Sequence, residues 1–294
     1  MKQIKILWTG GWDSSFRMCQ LSRMPVEVQP IYIKHPRRLS TNLELEAMKK
    51  IRSELIRKPE TKAKILPVKV LRFEDIFVTQ AIKDAYKKVR QLFPKIGGQY
   101  QWLAAVGENY PGIELGEEHY RDKPGTLWSI FNAAGSLQFD ADNVGHLFTL
   151  DRNINLILGH FSYPIASLTE LEMLQIIKDW HYEDIMQHVW FCQHPVNGKP
   201  CGVCTPCQIK MRAGMEWMLP DAAQRNYRIF KYLERQNDKL LFRFQHFIWE
   251  KFSKEFAVFQ FLEKGCSNTA SLRKARLNLL NEIAFYNKLI TNFG

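Results

Sequence analysis

Trp8-Thr9-Gly10-Gly11-Trp12-Asp13-Ser14-Ser15-Phe16 is the stretch on which the fold turns. Ile4-Lys5-Ile6-Leu7-Trp8 runs into it as a short apolar block, the pattern of a buried strand. Phe16-Arg17-Met18-Cys19-Gln20-Leu21 leaves it with helical spacing. A strand, a Gly-Gly turn and a helix start are the parts of an anion cradle. Gly10 and Gly11 let an oxygen-rich group come close to the backbone because no Cβ stands in the way. The helix N-terminus offers unbonded N–H groups and a partial positive charge, and Ser14 and Ser15 add hydroxyls there. A phosphate is the expected guest. The stretch has neither the Lys of a Walker A loop nor the spacing of a dinucleotide loop. The competing reading is an ordinary turn capped by Asp13 or Ser14.

Outward from this loop, strand and helix patterns alternate. Val26 to Lys34 reads as a second strand and Leu43 to Ile56 as an amphipathic helix with Leu43, Ala47, Ile51 and Leu55 on one face. Ile65 to Leu71 reads as a third strand, Phe77 to Phe93 and Tyr100 to Glu108 as helices, Ile113 to Gly116 as a fourth strand, and Ile154 to Leu158 as a fifth. The pattern predicts an α/β fold with a five-stranded parallel sheet flanked by helices. Ligands of such sheets bind beyond the carboxyl ends of the strands, here Thr9 to Ser15, Lys34 to Arg38 and Gly116 to Glu118. Lys123 to Arg152 is the least readable part. Ser167 to Trp180 reads as a helix opened by Ser167-Leu168-Thr169-Glu170 as a capping box.

Cys192, Cys201, Cys204 and Cys207 have the spacing C-x8-C-x2-C-x2-C, which suits four thiolates around a tetrahedral zinc. Thiolates also hold iron–sulfur clusters, and a disulfide pair is the plain structural alternative. A zinc closed by four thiolates has no open position for water, so its role is expected to be structural. His194 could take the place of one Cys or lie on an exposed loop. Cys19 and Cys266 read as packing residues.

The 294 residues, 46% of them hydrophobic, can build a sizeable core. No apolar run reaches the length of a membrane span, and no targeting segment is visible, so a cytoplasmic protein with no membrane partner is expected. Crowding of four of the six cysteines into one stretch fits metal use in a reducing compartment. The net charge of +11 suits anionic ligands such as ATP. Beyond Pro220 the composition changes. Leu240 to Leu262 carries eight aromatic side chains, Leu272 to Ile290 repeats with helical spacing, and Gly265 to Asn268 breaks them, which predicts a helical hairpin. Basic and aromatic residues interleaved there could contact nucleic acid, but a core or oligomer face is the expected use, making the chain a homo-oligomer.

The Gly-Gly loop resembles the Ser-Gly-Gly-x-Asp-Ser loop of the PP-loop ATP pyrophosphatases, with Thr9 for the first Ser. Together with the cysteine spacing it resembles the 7-cyano-7-deazaguanine synthase family. The likeness is patchy over about residues 1–215, and includes Glu44-Leu45-Glu46-Ala47-Met48, Ile113 to Gly116, Tyr163-Pro164-Ile165 and Leu168-Thr169-Glu170-Leu171-Glu172. It implies a PP-loop domain at 1–218, with the zinc loop at 192–207, and a helical extension at 219–294. It implies a carbon–nitrogen ligase that adenylates the carboxylate of 7-carboxy-7-deazaguanine, releasing pyrophosphate. Ammonia then displaces AMP, and a second activation dehydrates the amide to the nitrile, a step of queuosine biosynthesis. By motif match, Thr9, Gly10, Gly11, Asp13, Ser14 and Ser15 would hold the nucleotide, with Asp13 and Ser14 catalytic and Mg²⁺ as cofactor. The chain departs from the family after its second strand, where Tyr32-Ile33-Lys34-His35-Pro36-Arg37-Arg38 stands, and at Glu170, where the family has Lys. Lys34, Arg37, Arg38, Arg121 and Arg152 are the candidates to replace that cation. Some relatives belong to antiviral defence operons and are thought to join the activated deazaguanine to a protein amine. Another PP-loop synthetase or tRNA-modifying enzyme is a further alternative.

Overall fold

The computed structural model describes residues 1–119 and 126–236. The chain divides into two compact units, Met1–Trp190 and Phe191–Gly294. The cysteine loop lies in the second unit. The aromatic hairpin expected over 240–290 and Cys266 lie outside the described residues.

The first unit is an α/β sandwich. Its sheet begins with β1 (Gln3–Leu7), followed by helix α1 (Trp12–Ser22), β2 (Glu27–Lys34) and helix α2 (Thr41–Arg57). Ile4 and Ile6 alternate with Leu7, so β1 buries side chains on both faces, as a central parallel strand must. The expected third strand is two strands, β3 (Lys64–Ile65) and β4 (Lys69–Arg72), both parallel to β2. Pro67 lies between them, where a residue without an N–H cannot continue the ladder.

Helices α3 (Gln80–Leu92) and α4 (Gln99–Asn109) lead to β5 (Ile113–Glu114), parallel to β1. After helix α5 (Thr126–Ala134), β6 (Ser136–Phe139) and β7 (Gly145–Phe148) form an antiparallel hairpin. Helix α6 (Arg152–Leu158) and β8 (Phe161–Tyr163) follow. The sheet therefore has eight strands, not five, in the order β3-β2-β1-β5-β8-β7-β6, with β4 also on β2. It is mixed: β7 runs antiparallel to β8 and to β6.

Ile154 to Leu158, expected as a strand, is the body of α6. Asp151 caps it by accepting from the N–H groups of Asn153 and Ile154, and Ile154, Ile157 and Leu158 share a buried face at helical spacing. These three pack with Ile82, Val89 and Leu103 of α3 and α4 against Leu7, Ile31 and Ile113 of the sheet. Helix α7 (Glu170–Asp179) and the short α8 (Glu183–Met186) pack with α1 and α2. The capping box of α7 sits two residues later than expected: Thr169 accepts from the Glu172 N–H, and the Glu172 carboxylate accepts from the Thr169 N–H. Cys19 is buried beside Met186, and burial pushes its thiol far above the usual range, as expected of a packing residue.

The second unit carries α9 (Thr205–Arg212) and α10 (Asp221–Gln236). Among the described residues no helix is long and apolar enough to cross a membrane.

Candidate functional site

Two clusters of ligand-type side chains stand out, one in each unit. In the first unit β1 ends at Leu7, and the chain turns through Gly10 into α1. Gly10 has a positive φ of 71°. A Cβ there would lie 3.0 Å from the Glu44 carbonyl oxygen and 3.2 Å from Met48 Cγ. Gly10 is thus needed for the turn and for close packing on α2. Gly10→Ala is expected to cost about 2 kcal/mol, since the left-handed region alone costs an L-residue roughly 1–2 kcal/mol; urea unfolding measures it. Gly11 is extended, and no side chain caps the N-terminus of α1.

The two serines differ. The Ser15 hydroxyl is fully buried and accepts from the Trp8 indole N–H at 3.0 Å, so it serves the core. The Ser14 hydroxyl accepts from the Thr9 N–H at 3.4 Å and holds the turn closed. The Gly10 carbonyl accepts from the Trp190 N–H at 2.8 Å, which ties the loop to the end of the first unit.

Asp13 stands on the first turn of α1. Its carboxylate meets those of Glu118, four residues past β5, and Glu170, the first residue of α7, with donor oxygens all within 4.8 Å of one another. Glu118 and Glu170 are buried. The sequence placed Gly116 to Glu118 at a strand end, and marked Glu170 as a reversed charge. It gave no sign that these carboxylates meet Asp13, because the three lie far apart in the chain. Oxygen donors of this kind suit a hard divalent cation.

Glu117, beside them, has its carboxyl pushed up to about 8, first by burial and then by the charge of Asp13. A carboxyl held neutral by the fold but ionised in the unfolded chain stabilises fully below its unfolded value of 4.5. That contribution is lost as pH rises toward 8. Metal-free protein should therefore lose stability between these limits, and Glu117→Gln should flatten the slope in urea titrations run across that range.

The candidate cations do not join this cluster as a group. Arg38 pairs with the buried Glu44 at 3.0 Å, where Tyr32 and Ser40 also donate to the carboxylate. Glu44 is thus a buried anchor of α2, and Glu46 is a solvated partner of Lys50. Lys34, Arg37 and Arg152 are exposed, and Arg121 lies outside the described residues.

In the second unit Cys192, Cys201, Cys204 and Cys207 are buried with their sulfurs clustered, and could hold a metal ion. Cys204 Sγ lies 3.8 Å from Cys192 Sγ and 3.4 Å from Cys207 Sγ. A disulfide needs about 2.05 Å. Thiolates at zinc–sulfur distances of ~2.3 Å, arranged tetrahedrally, sit roughly 3.8 Å apart.

The local sequence builds this cage. Asn197 and Gly198, both with positive φ, turn the chain so that Val196 and Lys199 bridge. Gly202 also has a positive φ, and a Cβ there would collide with the Ala223 carbonyl oxygen. Cys204 caps α9, Pro206 opens it, and Cys207 lies in its first turn, where the helix dipole favours thiolate. The Cys201 N–H donates to Cys192 Sγ at 3.2 Å, and the Cys204 N–H donates to Cys201 Sγ at 3.3 Å. Sulfur hydrogen bonds, that from Cys192 first, hold the Cys204 thiol well below its usual range. His194 is not among the four clustered residues.

Compared with known proteins, the chain matches no family model and no curated protein.

Proposed function

We propose that the chain is an ATP-dependent carbon–nitrogen ligase of the PP-loop type that activates the carboxylate of 7-carboxy-7-deazaguanine. The observation that carries this reading is the meeting of the α1 N-terminus, a Gly-Gly turn and three carboxylates beyond the carboxyl ends of β1 and β5. A triphosphate could not approach Asp13, Glu118 and Glu170 unless a cation lay between, so the carboxylates make sense as holders of Mg²⁺ with its bound phosphates. When bound, Mg²⁺ would neutralise charge on the departing pyrophosphate. Glu170 then grips the nucleotide's cation where the resembling family has Lys.

In the reaction, a carboxylate oxygen of the substrate bonds to the α-phosphorus, and the bond to pyrophosphate breaks. The N–H groups at the start of α1 receive pyrophosphate charge. Gly10, rigid against α2, and Ser14, closing the turn onto Thr9, keep those groups aimed. An amine then displaces AMP. In the second unit the four cysteines hold a structural zinc, which takes no part in these steps.

The test is mass spectrometry of products formed from ATP and 7-carboxy-7-deazaguanine, with ammonia and a protein acceptor offered separately. Amide or nitrile with ammonia, or a mass adduct on the protein, supports the reading and identifies the nucleophile. AMP formed only with an unrelated carboxylate would move the substrate elsewhere. No AMP with any carboxylate would refute a ligase.

A further inference from the structure

Arg17 and Glu114 form a buried two-point ion pair. Arg17 Nη2 donates to Glu114 Oε1 at 2.6 Å, and Arg17 Nε donates to Oε2 at 2.9 Å. Both residues are more than nine-tenths buried. Neither belongs to the phosphate cradle or the carboxylate cluster, and nothing in the proposed chemistry uses them.

Their place in the chain supplies a reason. Asp13 and Arg17 are four residues apart on α1, hence on one face, a turn apart. Glu114 and Glu118 are also four apart, on β5 and the loop after it. Arg17 meets Glu114, and Asp13 meets Glu118. Midway, a Cβ on Gly116 would lie 3.2 Å from Ser14 N and 3.4 Å from Asp13 Cβ. Residues 114–118 therefore run along the first turns of α1 in the reverse direction, with Glu114 at Arg17 and Gly116 and Glu118 at Asp13.

Four residues of helix rise about 6 Å, whereas four extended residues cover roughly 13 Å. The loop stays in step because it folds back: the Glu117 N–H donates to the Leu115 carbonyl at 3.0 Å. The sheet holds this segment only as far as Leu115: β5 is two residues long, pairs with β1 at Glu114 and with β8 at Ile113 and Glu114, and the Leu115 N–H donates to the Ser162 carbonyl at 2.9 Å. The charged fork adds a side-chain tie to α1 at Glu114, the last residue of β5, where the ladder gives way to the loop.

We propose that the Arg17–Glu114 pair is a positioning device that sets the separation of Asp13 and Glu118, and so tunes the cation affinity of the carboxylate cluster. This rests on reading that cluster as a divalent-cation site. Mn²⁺ is the probe, titrated into the full-length, zinc-loaded protein and followed by electron paramagnetic resonance, with thermal melting in parallel.

Wild type should bind Mn²⁺, and Glu118→Gln should weaken it. Arg17→Met alone would strand a buried carboxylate, so the informative variant is the double replacement Arg17→Met with Glu114→Leu, which keeps volume and removes both charges. It should fold and melt near wild type, yet bind Mn²⁺ roughly 10–100-fold more weakly, the usual effect of losing support behind a metal ligand. A purely structural pair would move melting and leave affinity alone.

If wild type binds no Mn²⁺, or Glu118→Gln binds it equally well, the cation site falls, and this proposal with it. If those controls hold and the folded double variant binds unchanged, the positioning role alone is overturned. Should the double variant not fold, Arg17→Lys decides, because it keeps the charge but not the fork: weaker Mn²⁺ binding supports the proposal and unchanged binding refutes it.

Discussion

Asp13→Asn is expected to lower pyrophosphate release by roughly 10²–10³-fold, the usual cost of removing one preorganised group from the charge developing in a transition state. The protein should stay folded. Asp13 is half-buried on the first turn of α1, and the amide keeps its volume and its place beside Gly116. Removing one of three clustered carboxylates also relieves repulsion in the metal-free state, so melting should not fall. Loss of turnover without loss of melting temperature separates a functional carboxylate from a structural one. Equal turnover in the variant would mean that the cluster does not serve the reaction.

Cys204→Ser is expected to do the opposite, and to act through the fold. Structural zinc contributes roughly 10–16 kcal/mol in peptides that fold around it. Even a loss of about 3 kcal/mol would lower the melting temperature by roughly 6–12 °C in a domain of ordinary size. The Cys204 sulfur lies against those of Cys192 and Cys207, and Cys204 is the N-cap residue of α9. Zinc content by colorimetric release should fall from about one equivalent toward none, in keeping with a closed four-thiolate site. A variant that kept its metal and its melting temperature would remove the cysteines from this role.

The parts of the fold that were legible in the sequence share a physical cause. β1, α1, β2 and α2 are long enough for periodicity to show, and Gly10 and Gly11 mark the turn between the first two. The fourth strand expected at Ile113 to Gly116 is β5, whereas β8 has three residues, too few for any period to register. Ile154 to Leu158 is a short apolar run, which periodicity cannot assign. Asp151, placed to cap a helix, was the signal that would have decided it. The β6–β7 hairpin turns at Asp140–Val144, where the Asp140 carboxylate accepts from the Asp142 and Val144 N–H groups, a side-chain-built turn hidden in the least readable stretch.

The two clusters were legible to different degrees. The cysteine set is local, so spacing alone named its members. The carboxylate set is assembled by the fold from α1, the loop after β5 and the start of α7. Only Asp13 announced itself, through the loop it belongs to. Ser15 illustrates the converse: it matched the motif, but its hydroxyl is committed to Trp8 inside the core.

The most direct test of the central claim is exchange of labelled pyrophosphate into ATP by the full-length protein. Adenylation of a carboxylate at the Gly10–Gly11 cradle predicts that label enters ATP only when 7-carboxy-7-deazaguanine is supplied, and that Asp13→Asn abolishes it. No exchange by the wild-type protein with that acid, or undiminished exchange in the variant, would contradict the account.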